Sequence, residues 1–213
     1  MTPAFADRRE AGQQLAQALA SLRGEPLIVL GIPRGGVVVA AEVARGLGAP
    51  LDVVVPRKVG APGNPELGLG AVAPGVSVLD ERLIRDLGVP QPYLEQEIAS
   101  QEREIERRTA AYRGNKPPVE LDGRTAVVVD DGVATGGTAV ASLRWAKHAG
   151  ARRVVLAVPV APKQAMSSLA AEADDVVVLG TPEPFYAVGQ WYDRFDQVSD
   201  DEVVRLLRGS EPS

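Results

Sequence analysis

Five short apolar runs decide what this chain can fold into. "PLIVLGIPRGG" (26–36) opens with one, and "LDVVVP" (51–56), "TAVVVDD" (125–131), "RVVLAVPV" (153–160) and "DDVVVLG" (174–180) carry the others. They are rich in β-branched residues and do not alternate apolar with polar, the pattern of parallel strands covered on both faces. Helical segments separate most of them. "GGVVVAAEVARGLGA" (35–49) and "GGTAVASLRWAKHAGA" (136–151) each begin on two glycines, repeat small or apolar residues at helical spacing and close on Gly-Ala. Strand, glycine turn, helix, strand is therefore the repeated order. It predicts an α/β fold with one open parallel sheet flanked by helices, and ligands outside the carboxyl ends of the strands. Both glycine turns fall there.

Composition narrows the function classes. With 213 residues, 45% of them hydrophobic, the chain can bury a full core as a single α/β unit, 1–213. A net charge of −5 argues against a general nucleic-acid or anionic-membrane surface, so any anion site must be a local basic pocket. The absence of cysteine excludes disulfides, thiolate nucleophiles and thiolate zinc sites. The single histidine, His148, sits near the end of a predicted helix, where a cation favours the dipole; a capping or surface role follows. "MTPAFADRREAG" has no apolar signal core, and no run approaches the roughly 18 apolar residues of a membrane span, so a cytoplasmic location is expected.

Three segments stand outside the alternation. Ala11, Leu15, Ala18 and Leu22 recur at helical spacing and predict an amphipathic helix over 4–22. "PRKVGAPGNPELGLGAVAPG" (56–75) holds five glycines and four prolines, is too long for an idle connection, and reads as a mobile functional loop. Residues 92–112 start on a helix-initiating proline and set Leu94, Ile98, Ile105 and Tyr112 along a narrow stripe, predicting a long, mostly solvated helix. Its charge run, with Glu104 and Arg108 four apart, is a solvated face or the edge of a homodimer.

"VVVDDGVATGGTAV" (127–140) carries the chemistry. If Val127 to Val129 end a strand and Thr138 begins a helix, the turn at 134–138 aims backbone N–H groups at one spot. Glycines let the chain approach closely and the threonine hydroxyls add hydrogen bonds, which suits a phosphate. Asp130 and Asp131 would repel that phosphate unless the same ligand also offers hydroxyl donors, a divalent cation or a developing positive charge. A ribose 5-phosphate offers the first.

"VVVDDGVATGGT" resembles the phosphoribosyl pyrophosphate (PRPP) motif of type I phosphoribosyltransferases; without the resemblance it reads as an Asp-Gly turn before a glycine-capped helix. The resemblance implies that Ala134, Thr135, Gly136, Gly137 and Thr138 hold the 5-phosphate while Asp130 and Asp131 meet the ribose hydroxyls. "GIPRGG" looks like the family's pyrophosphate loop, where Arg34 and the turn at Gly35 and Gly36 receive the leaving group and members often hold an unusual peptide geometry. "PRKVGAPGNPE" is similar to the start of the flexible catalytic loop of adenine phosphoribosyltransferases. Arg57 and Lys58 would then meet phosphate charge and Glu66 would serve in proton transfer, although a solvated loop also explains these charges.

"FYAVGQWYDRF" (185–195) holds five of the nine aromatic residues. Within it "YAVGQWYD" resembles the base-binding pattern of hypoxanthine-guanine phosphoribosyltransferases. That implies Tyr186 stacking, Val188 offering main-chain contacts, Asp193 at the purine edge and Lys163 at an exocyclic oxygen. Tyr186 fits a platform or a core position equally, while Phe185, Trp191 and Phe195 read as a satellite core or subunit contact. One departure weakens the oxopurine parallel: Ala134 stands where those enzymes carry an aspartate, as in adenine enzymes.

The fold implied is the type I phosphoribosyltransferase fold with a helical insertion at 80–115 and a hood or C-terminal segment at 181–213. The activity implied is magnesium-dependent transfer of phosphoribose from PRPP to a nitrogen acceptor, with pyrophosphate leaving, as in nucleotide salvage. Magnesium would be held largely by PRPP, with no direct protein ligand beyond Asp130 and Asp131. Two rivals remain. A PRPP-sensing regulator would bind without reacting; a DNA-binding version would append a helix-turn-helix module, and none is visible. A dinucleotide-binding domain would carry Gly-x-Gly-x-x-Gly after the first strand, and this one does not.

Overall fold

In a computed structural model covering residues 4–114 and 116–209, the apolar runs become the five strands of a parallel sheet. Residues 1–3, Asn115 and 210–213, which belong to the expected single unit, insertion and C-terminal segment, lie outside the described residues. The described elements are α1 (Arg8–Ala18), β1 (Leu27–Gly31), α2 (Gly35–Leu47), β2 (Leu51–Val53), β3 (Arg57–Ala61), β4 (Asn64–Ala73), β5 (Val76–Leu79) and α3 (Glu81–Asp86). After them come α4 (Gln91–Arg113), β6 (Thr125–Val129), α5 (Gly137–His148), β7 (Arg153–Val160), α6 (Lys163–Glu172), β8 (Asp175–Gly180) and α7 (Asp200–Arg208). The parallel sheet runs β2-β1-β6-β7-β8, and β3-β4-β5 form a separate antiparallel sheet. Among the described residues, no helix is long and apolar enough to cross a membrane.

The missing alternation in the runs has a simple cause. Val29, Val127 and Val155 face a core shared with α1, α2 and α7, while Ile28, Leu30, Val128 and Leu156 face one shared with α5 and α6. Each such side chain, fully buried, contributes about 1.5–3 kcal/mol. Register levels the strand ends: Gly31 pairs with Val53 on one side and Val129 on the other, and Val129 with Ala157. The turns after β1 and β6 therefore emerge side by side.

The helix expected over 4–22 is shorter. Asp7 caps α1 by accepting from the N–H groups of Arg9 and Glu10, and residues 20–22 form a separate 3-10 turn. Upstream of the cap, Phe5 bridges Tyr192, so the segment before α1 meets the segment after β8. Glycines seat α1 on α2: a Cβ on Gly12 would stand 2.7 Å from Val39 O, and one on Gly46 would stand 2.6 Å from Ala16 Cβ.

The loop expected at 56–75 is a correction. These residues form β3 and all of β4, an irregular antiparallel pair with register shifts around Gly60. Two of their glycines serve close approach rather than slack: a Cβ on Gly60 would stand 2.8 Å from the Pro65 backbone, and one on Gly70 would overlap Val78 O. Gly63, at φ 72°, makes the turn. The long helix α4 buries Leu94, Ile105 and Tyr112, the expected stripe, with Ile98 partly covered. Polar contacts pin it along its length. Tyr93 donates to Gly60 O at 3.0 Å, Arg113 pairs with buried Asp52 at 2.8 Å, and Tyr112 donates to Asp200 at 2.7 Å.

Candidate active site

The site is built where the turns after β1 and β6 touch. Asp130 and Asp131, half-buried, follow β6. Gly36 lies against Asp130, and a Cβ on Gly35 would overlap Asp131 Oδ2, so the "PRGG" turn and the acid pair share one surface. The Pro33–Arg34 peptide is cis, in the turn where an unusual geometry was expected. Arg34 is exposed and occupies the cap position of α2.

Burial, and next the neighbouring Asp131 charge, pushes the Asp130 carboxyl well above the ordinary carboxylate range. Burial also raises Asp131, but Arg8 opposes it. The Arg8 Nε donates to Asp131 Oδ2 at 2.7 Å, and the two side chains are only 11% and 15% exposed. Tyr192 donates its hydroxyl to the main-chain oxygen of Asp131 at 2.6 Å. Burial, with the Asp131 charge, drives that phenol far above its usual range.

Next along the chain, Ala134 and Thr135 are exposed, and Gly136 takes a left-handed conformation (φ 88°) as the cap of α5. No side chain caps this helix. The N–H groups of its first turn, from Gly137 and Thr138 onward, are left by helix geometry without intrahelical partners and carry the positive end of the dipole. This uncapped helix end, of the kind that favours an anion, adjoins the pair of acids.

The antiparallel sheet separates two residues that sequence reading joined. Lys58 pairs across the strands with Ala71, and a Cβ on Gly137 would touch Ala71 at 4.0 Å. Cross-strand partners share a face, so exposed Lys58 lies on the side of the sheet that approaches the α5 N-terminus. Arg57 lies on the other face, donating to Gln101 of α4 at 2.9 Å, and Gln101 in turn donates to Glu97. Arg57 is thus anchored to α4 in this structure. Glu66 is exposed near the far end of the hairpin.

The C-terminal segment meets the acid loop through Val188, whose methyl would lie 2.5 Å from a Cβ on Gly132. Tyr186 stands 80% exposed, while its N–H and that of Ala187 both donate to Gln190 Oε1 at 3.0 Å, fixing the backbone under the ring. Asp193 is exposed and Lys163 pairs with Glu183 at 3.4 Å. Trp191 joins a small core with Phe5 and Val160, with Phe185 packed against it. Phe195 instead lies beneath Arg8, 3.7 Å from guanidinium carbon to ring centre.

Sequence reasoning missed Arg8 and Tyr192. Arg8 reaches a partner 123 positions away, which no local pattern encodes. Tyr192 lay inside a quoted motif, but only the folded chain shows its hydroxyl on Asp131.

Comparison with known proteins agrees with this geometry. Residues 6–183 match the profile of the family described as phosphoribosyl transferase domain. A Mycobacterium tuberculosis protein, provisionally named a phosphoribosyl transferase, is 49% identical over 204 residues, covering 95% of this chain and 46% of that protein. The chain thus spans about half the length of that relative. An adenine phosphoribosyltransferase of Rhodococcus jostii is 30% identical over 158 residues, covering 74% of this chain and 70% of its own. The crystal structure of TT1426 from Thermus thermophilus superposes with a TM-score of 0.83 at 50% identity, covering 98% of this chain and 99% of that one. On this sheet, these adjoining turns and these matches, the chain belongs to the phosphoribosyl transferase domain family.

Proposed function

We propose that the chain transfers phosphoribose from PRPP to a flat, purine-like nitrogen acceptor, with magnesium. The bond from the sugar's anomeric carbon to the pyrophosphate oxygen breaks, a bond from that carbon to the acceptor nitrogen forms, and the acceptor's N–H gives up its proton. The observation that carries the reading is the contact of the "PRGG" turn with the acid pair, beside the uncapped N-terminus of α5. One ligand with a phosphate at one end, vicinal hydroxyls in the middle and a pyrophosphate at the other matches all three features.

Each part has a physical task. The first turn of α5, with Thr135 and Thr138, anchors the 5-phosphate and so fixes the ribose. Asp130 and Asp131 accept from the hydroxyls and set negative potential under the sugar as positive charge develops. Arg34, and Lys58 from the β3 face, are the cations that would meet the leaving charge. The donor set fits a magnesium ion that keeps phosphate oxygens as its main ligands: one oxygen of Asp131 is taken by Arg8, leaving few protein donors. When bound, the ion neutralises pyrophosphate charge. Tyr186, exposed on a fixed backbone, is the acceptor's stacking platform, with Val188 and Asp193 supplying further contacts.

Pyrophosphate release from PRPP and magnesium, measured across a panel of bases, tests the reading. Release that depends on one base supports it. PRPP binding without release under any base would instead make the chain a PRPP-binding regulator.

A further inference from the structure

The first residue of α1 reaches the acid pair from outside every quoted motif. Its guanidinium is held three ways: Nε donates to Asp131 Oδ2 at 2.7 Å, Nη1 donates to Asp196 O at 2.8 Å, and the flat face lies on the Phe195 ring. Such a grip needs arginine, because only a planar fork can donate in two directions while stacking. The mount is rigid. Gly12 and Gly46 seat α1 on α2, Asp7 caps it, and Arg194 pairs with Asp7 at 2.7 Å. Upstream, the N–H groups of Ala4 and Phe5 donate to Trp191 O, and those of Asp193 and Arg194 donate to Phe5 O and Ala6 O.

Asp131 is therefore gripped twice by one strap made from residues 4–8 and 191–196. Arg8 holds its carboxylate and Tyr192 its main-chain oxygen. Oδ2 is turned to Arg8 and Gly35, and the Asp131 carboxyl lies within hydrogen-bond reach of the Asp130 carboxyl, so the hold on Oδ2 sets how the pair is presented. Two like charges on adjacent, half-buried side chains repel, and unheld they would turn apart toward solvent. Among the described residues, Arg8 donates to Asp131 and Asp196 and not to the turn at 134–138.

We propose that Arg8 is a positioning residue for the ribose: it orients Asp131 toward the sugar hydroxyls and ties the acid pair to the segment bearing Tyr186. The inference rests on the ribose-phosphate reading of the site. It predicts a split between two simple ligands, since ribose 5-phosphate uses the acids and the phosphate turn whereas inorganic phosphate uses the turn alone.

Calorimetric titration of the full chain with ribose 5-phosphate and, separately, inorganic phosphate makes the test. In Arg8→Ala, affinity for ribose 5-phosphate should fall about tenfold or more while phosphate affinity stays within about twofold, as expected when one charge-assisted contact is lost. Arg8→Lys should recover part of the loss, because a charge returns without the second donor or the stacking plane. Unchanged or tighter ribose 5-phosphate binding in Arg8→Ala would overturn the inference, as would parallel loss of both ligands, the mark of a merely structural role. Should Arg8→Ala not fold, Phe195→Leu, which removes the ring beneath the guanidinium, should give the same selective loss in smaller measure; equal or absent losses there overturn it too. A parent chain that binds neither ligand contradicts the ribose-phosphate reading itself, which separates that failure from this one.

Discussion

Gly36 rests on Asp130 with no room for a side chain: a Cβ on it would stand 2.8 Å from Asp130 Cα and 2.9 Å from Val129 O. Both neighbours are backbone or fixed to it, so neither can turn aside. Gly36→Ala should destabilise the fold by about 1–3 kcal/mol, the usual cost of overpacking, and should lower pyrophosphate release by pushing the two turns apart. Thermal unfolding and turnover read the two effects.

Lys58 and Arg57 are neighbours in sequence on opposite faces of one sheet, and their variants should separate accordingly. Lys58→Ala should weaken PRPP binding, most at low salt, where an exposed charge acts furthest. Arg57→Ala should leave PRPP affinity nearly unchanged while loosening α4, seen as faster amide exchange around Gln101. Equal losses of PRPP affinity in both variants would show that the sheet turns Arg57 toward the phosphates.

Much of this architecture was legible because burial on both faces leaves a plain signature. The five strands, α2, α5 and the stripe on α4 were all readable, since each places apolar residues where no water reaches. The β3-β4 hairpin was not, because two of its glycines are there for backbone contacts with Pro65 and Val78, and in sequence that looks like a loop. Helix α7 went unread although its start carries a cap signal, Ser199 accepting from the N–H of Glu202, ahead of buried Val203 and Leu207. At the site, the phosphate turn and the acids could be read from local order. Arg8 could not, for its meaning depends on a strap that only the folded chain closes.

Burial raises both acids, so the pair should leave a mark on stability. A carboxyl whose folded pKa lies above its unfolded value binds more protons when folded, and stability then falls as pH rises from the ordinary carboxylate pKa through the raised one. Asp130→Asn removes the larger part. Its amide oxygen can still accept the N–H of Asp131, a bond of 2.8 Å in the parent. The variant should unfold at a higher temperature than the parent at neutral pH, with the difference shrinking as pH is lowered. A variant less stable at neutral pH would show that the charged carboxylate holds the fold together.

Tyr186 is 80% exposed, so its ring contributes little to the fold and its loss should show in acceptor binding alone. Tyr186→Ala should weaken the acceptor by about 1–3 kcal/mol if stacking energies measured on nucleic-acid bases apply here. Tyr186→Phe should be mild, and PRPP affinity should hardly move in either. Titration of the best acceptor into the three proteins checks this.

The central claim is that the acid pair stabilises a ribosyl group as pyrophosphate departs. Pyrophosphate release from PRPP and magnesium, with the best acceptor of a base panel, tests it most directly in the parent and in the Asp130→Asn, Asp131→Asn double variant. The account predicts acceptor-dependent release by the parent and a drop of about a hundredfold or more in the folded double variant, the scale of losing preorganised electrostatic stabilisation. Release by the double variant at the parent's rate would make the two acids mere turn residues and contradict the account.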